Sequence, residues 1–184
     1  MDKLKIEIYK ELGAYERHFN QIQNVFKGLA STWFFGGFAA IGFLYSSKLV
    51  ESFPTKLELA SSLVALTVAT GIVLFWMMDV MVYHKLLRAV VKKSELLEKS
   101  ESFLPDLRKT MVEYTTVLNV RRATSIFYIT PSLIMTITSF VFINKSWNQN
   151  DWTLNILLGC WLVTLTIGNI LILIFQKRKK NYVA

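Results

Sequence analysis

Hydrophobic positions fall into two patterns along this 184-residue chain. In the first, charge disappears altogether: residues 28–47, 59–78, 123–144 and 152–176 contain no Asp, Glu, Lys or Arg. A bilayer's hydrocarbon core is ~30 Å thick, and an α-helix crosses it in ~20 residues. The four runs therefore predict four transmembrane helices. Buried helices of soluble proteins are usually shorter and seldom exclude charge four times over.

The second pattern is a narrow apolar seam. Ile8, Leu12, Tyr15, Phe19, Ile22 and Phe26 are spaced 4-3-4-3-4 among charged and amide residues, the heptad spacing of a helix packed on other helices. Residues 1–27 thus read as an amphipathic helix of ~39 Å, at ~1.5 Å per residue. No proline separates it from the first span, so it is expected to run on into the membrane, with a hinge near Gly28; lying flat on the bilayer is the competing reading, which the narrow seam disfavours. Tyr83, Leu87, Val90, Ser94 and Leu97 repeat the seam directly after the second span. Pro105 breaks that helix, Asp106 is placed to start the next, and Leu107, Met111, Tyr114 and Leu118 carry the seam back. Residues 79–122 form a helical hairpin on this reading. Folding it symmetrically about Pro105 sets residue i level with about 209 minus i, which leaves Arg122 ~12 Å from the level of Asp79.

The expected fold is a single-domain, all-α membrane protein with four transmembrane helices. Its helical cytoplasmic extensions, 1–27 and 79–122, form a three-helix stalk, and 177–184 is a basic tail.

Charge gives this arrangement a direction. Of 21 Lys and Arg, five lie in 1–27, nine in 79–122 and four in 177–184, leaving Lys48, Lys56 and Lys145 for the other two connections. The positive-inside rule then puts both termini and the hairpin in the cytoplasm of a cell whose inner membrane holds the spans. The net charge of +8 suits an anionic lipid leaflet. Nucleic acid is not an expected partner, because no aromatic platforms interleave the basic residues. The N-terminal segment has early acids and no early apolar core, so the first span is expected to serve as an uncleaved insertion signal.

Candidate chemistry is sparse. Asp79 is the first charge after the second span and belongs at the inner interface, either as a solvated or paired boundary acid or, on the alternative reading, as one that attracts cations to a pore mouth. In the third span Pro131 frees a backbone carbonyl, and Thr130, Ser132 and Thr136 supply hydroxyls nearby, a pattern suited to a hinge or a polar path. Asn169 is the deep polar group of the fourth span. These are the candidate pore or gating residues. Small residues recur every four positions: Thr32, Gly36 and Ala40; Ser61, Ala65 and Ala69; Cys160, Thr164 and Gly168. Such stripes let helices approach closely in lipid, within one chain or between copies. His18 and His84 have no Cys or His at metal-ligand spacing, and Cys160 is the single cysteine, so neither metal nor cofactor is expected. No nucleophile triad, phosphate loop or catalytic carboxylate pair appears, and the chain is not expected to be an enzyme.

The segments YERHFNQIQ at 15–23 and KGLASTW at 27–33, leading into a Gly/Ala/Phe-rich span, resemble small bacterial multi-span membrane proteins. In layout the chain is similar to the SLATT proteins and four-span effectors of nucleotide-signalling anti-phage systems. That resemblance implies helices at the cytoplasmic face, homo-oligomeric assembly and a pore that depolarises the cell. Together these readings predict an oligomeric inner-membrane channel or pore-forming effector gated through its stalk, answering a cytoplasmic protein or nucleotide signal. A non-conducting scaffold or sensor that binds a cytoplasmic protein is the alternative.

Overall fold

The computed structural model describes residues 2–46, 54–114, 117–146, 156, 158–163, 165–168 and 170. Its elements are all helical: α1 (Asp2–Ser46), α2 (Pro54–Trp76), a π-helix (Met77–Tyr83), α3 (His84–Ser100), α4 (Leu107–Tyr114) and α5 (Val117–Ser146). Three stretches, Lys3–Ser46, Leu57–Ser100 and Arg122–Lys145, are long and apolar enough to cross a membrane. Residues 158–163 and 165–168, from the fourth uncharged run, are also helical. Thr164, Asn169 and the 177–184 tail lie outside the described residues.

Local sequence explains the boundaries. α1 runs through Gly28 as one continuous helix. α2 opens on Pro54, whose missing N–H costs nothing in a first turn. α3 stops where Glu101 turns extended. Pro105 then keeps the preceding residue out of helical geometry. α4 starts just beyond it, with the Asp106 carbonyl accepting from the Thr110 N–H at 3.2 Å and from its hydroxyl at 2.8 Å.

The chain divides into two compact units, one of Met1–Gly28 with Phe75–Ser125 and the other of Leu29–Leu74 with Ile126–Ala184. They are built on opposite principles. In the first, the apolar seam is only half-buried, and Trp76 and Val80 are the buried apolar side chains among the described residues. Its deepest described positions are polar, Asp79, Ser94, Ser125 and Glu98, and Gln23 and Arg108 are buried as well. The seam aromatics still meet, Phe19 and Phe26 lying 6.4 and 5.4 Å from the Tyr83 ring and Phe26 6.3 Å from Phe75.

The second unit has an apolar interior that includes Ile41, Leu66, Ile72, Met135 and Leu158. Ala65 and Ala69 are fully buried there. Gly37 makes the close approach from α1: a Cβ on it would sit 2.6 Å from Val68 Cγ2. Gly36 and Ala40, by contrast, are exposed on the single chain, and a Cβ on Gly36 meets nothing within 4 Å. Gly168 likewise has open space around its Cα.

Candidate functional site

The first unit is fastened by a buried ion network at the turn of its hairpin. Glu98, on α3, accepts three hydrogen bonds: from the Tyr9 hydroxyl at 2.8 Å, and from the Arg108 backbone N–H and Nη1 at 2.9 Å each. Arg108, on α4, also donates from Nε and Nη2 to Glu16 Oε2 on α1, at 3.3 and 3.1 Å. Its guanidinium lies 4.6 Å from the centre of the Tyr9 ring. Lys5 of α1 pairs with Glu101 in the turn. One arginine thus ties α1 to both arms of the hairpin. An open cavity of about 460 Å³ borders the network, lined by Glu98, Lys99, Ser102, Leu104 and Asp106.

Burial alone would push the Glu98 carboxyl up. The Arg108 guanidinium, the Tyr9 hydroxyl and the Arg108 N–H outweigh it and hold the group below the ordinary glutamate value. Burial, followed by the hydrogen bond to Glu98, raises the Tyr9 phenol. The two signs differ in consequence. The glutamate contribution is complete above the ordinary carboxylate range and fades as pH falls through the lowered value. The tyrosine contribution is complete below the ordinary phenol range and fades as pH rises through the raised one. Amide protection factors across α1 and α3, taken relative to the intrinsic exchange rate at each pH, are therefore expected to be highest between neutral and mildly alkaline pH and to fall in acid. Glu98→Gln should flatten the acid limb, and an unchanged limb would show that another group controls it.

The second feature is the π-helix between α2 and α3. The His84 N–H donates to the Asp79 carbonyl five residues back, and Asp79 itself is fully buried. π-turns of this kind occur often at functional positions. Trp76 Nε1 donates to Ser125 Oγ at 3.2 Å, which sets residue i level with 201 minus i rather than 209. The symmetric fold expected about Pro105 is therefore incorrect at this end of the hairpin, and position 122 comes level with Asp79. Near the turn, the Glu98–Arg108 pair totals 206 instead. Between the two pairs, one arm uses 22 residues (76 to 98) and the other 17 (108 to 125). The wider π-turns account for part of this difference, because they place more residues per turn.

In the second unit, hydroxyls gather where α2 meets α5. Ser62 Oγ and Ser139 Oγ are 2.7 Å apart, and Ser61, Ser132 and Thr136 are buried with them. The Thr136 hydroxyl donates to the Ser132 carbonyl at 2.8 Å. α5 continues through half-buried Pro131, while Thr130 is exposed. Trp161 Nε1 donates to Thr70 Oγ1 at 3.0 Å. Of the predicted pore residues, then, Pro131 and Thr136 share this helix pair, Thr130 points away from it, Asp79 belongs to the first unit and Asn169 is undescribed.

Reading the sequence missed Tyr9, Glu16, Glu98 and Arg108. A signal was present: Glu98 lies four residues beyond Ser94, on a seam already showing a polar substitution. Among the described residues, no group of three or more His, Cys, Asp or Glu is placed to hold a metal. Comparison with family models, curated proteins and solved structures finds no match. Function therefore rests on geometry and physical chemistry.

Proposed function

We propose that the protein is an oligomeric inner-membrane channel or pore-forming effector, with four crossings and cytoplasmic termini, worked through its helical hairpin. The observation that carries this reading is the continuous helical run from Pro54 to Ser100, α2 through the π-helix into α3. It joins the most apolar of the three described membrane-length helices to Glu98 of the ion network without a flexible linker. The cavity beside Glu98 offers a protein or nucleotide signal a place to compete for Arg108. The small residues Thr32, Gly36 and Ala40, exposed on one chain, support assembly from several copies. No catalytic step is part of the proposal.

Planar-bilayer recording of the purified protein tests it. Channel openings are expected, with Arg108→Ala changing open probability by weakening the network while leaving unit conductance the same. Absence of conductance in wild type and variant alike would sink the channel reading.

A non-conducting scaffold or sensor is the second reading. It is favoured by apolar side chains left outward on the helices assigned to the cytoplasm, among them Leu4, Leu96 and Leu107, each more than half exposed. Stoichiometric recovery of one soluble protein, lost on mutating the hairpin, would select it.

A further inference from the structure

Glu58 stands in the second turn of α2 and is 7% exposed. Its Oε1 is 3.2 Å from Lys145 Nζ at the end of α5. Its Oε2 is buried and, among the described residues, finds no hydrogen-bond partner. Ser61, three residues on and on the same helix face, has its hydroxyl oxygen buried and unpartnered as well. Ser62 lies beside it, bonded to Ser139 of α5. Two inward-facing oxygens without partners are costly in a low-dielectric interior, and native structures rarely leave such groups unsatisfied.

We infer that Glu58, Ser61 and the Ser62–Ser139 pair form a binding site for a small monovalent cation of the alkali class. Only oxygen is on offer, the donor type that hard cations prefer. One carboxylate balances a single positive charge, and no second acid is present in the set to attract a divalent ion. Lys145 marks the place for that charge. Its side chain is 65% exposed, so its ammonium, held by one oxygen only, can be displaced into water and replaced by a free ion reaching both Oε2 and the serine hydroxyl.

Binding requires neither conduction nor a partner, and full-length protein in detergent suffices to test it. Thermal unfolding is followed while N-methylglucamine chloride is exchanged for sodium or potassium chloride at constant ionic strength. A saturable rise in Tm is expected with at least one alkali cation. Lys145→Met, which removes the competing ammonium, should lower the half-saturating concentration about fivefold, the equivalent of a partly exposed ion pair. Glu58→Gln and Ser61→Ala should each remove the saturable component, and Ser61→Ala decides alone if Glu58→Gln fails to fold. Equal Tm in all the salts, or a saturable rise that persists in Ser61→Ala, would overturn the site.

Discussion

Replacing Arg108 with alanine is expected to destabilise the first unit by about 3–5 kcal/mol, the usual cost of removing one partner from a buried charge network. The reason lies in what stays behind. The Glu98 side chain is 1% exposed and would keep its charge, the Tyr9 hydroxyl and the backbone N–H of position 108 while losing the guanidinium, the one charged group among its three donors, and Glu16 would lose its guanidinium too. Loss of the guanidinium also removes its stacking on the Tyr9 ring. Equilibrium unfolding, read together with hydrogen exchange in 2–27 and 84–114, measures the effect. The double variant Glu98→Leu/Arg108→Met should recover part of the loss, because it removes the buried Glu98 charge together with its partner, while Glu16 and the Tyr9 hydroxyl still lack theirs. A single variant within 1 kcal/mol of wild type would mean that the network contributes little.

Gly37→Ala should destabilise the second unit, and Gly36→Ala should not, although the two glycines are adjacent and both sit in α1. Alanine gains roughly 0.5–1 kcal/mol over glycine inside a helix. At Gly36 that gain stands unopposed. At Gly37 the new methyl would lie 2.6 Å from Val68 Cγ2 and 3.1 Å from Met135 Cε. Val68 is β-branched and buried, so its methyl has little freedom to retreat. Overpacking of this kind costs about 1–3 kcal/mol, which exceeds the helical gain. Gly71→Ala should be milder, because the atom it meets at 2.5 Å belongs to the half-exposed Trp33 indole. Thermal or denaturant unfolding in detergent checks the signs, and Gly37→Ala as stable as Gly36→Ala would refute the packing account. Gly36→Leu adds a separate readout. If that face joins copies of the chain, light scattering should show a smaller particle with the second unit still folded.

The helical architecture was legible because it depends on local periodicity. Charge-free runs mark the stretches able to span a membrane, the 4-3 seam marks α1 and α3, and Pro105 marks the break before α4. What was illegible depends on how helices meet. The four-residue stripe picks Gly36, while the close contact falls on Gly37; nothing in the spacing says which side of α1 faces Val68. Hairpin register was misread because equal arms were assumed, and a π-turn leaves no mark in hydropathy. Glu98 and Arg108 carry no mark of their pairing in the sequence, since it follows from the turn that brings α4 against both α1 and α3. The paired hydroxyls of Ser62 and Ser139, 77 positions apart, needed that register too.

The π-helix at Met77–Tyr83 has a mechanical consequence. A helix that carries a surplus residue in one wide turn can pass the surplus along its length, much as a ruck travels along a carpet. Each step swings one side chain by about 100° about the axis, since an α-helix has 3.6 residues per turn, and leaves the two ends in place. Met78, Asp79 and Val80 are next in line. Exchanging buried Asp79 for exposed Met78 in this way would rewrite the polarity of the helix surface with almost no translation.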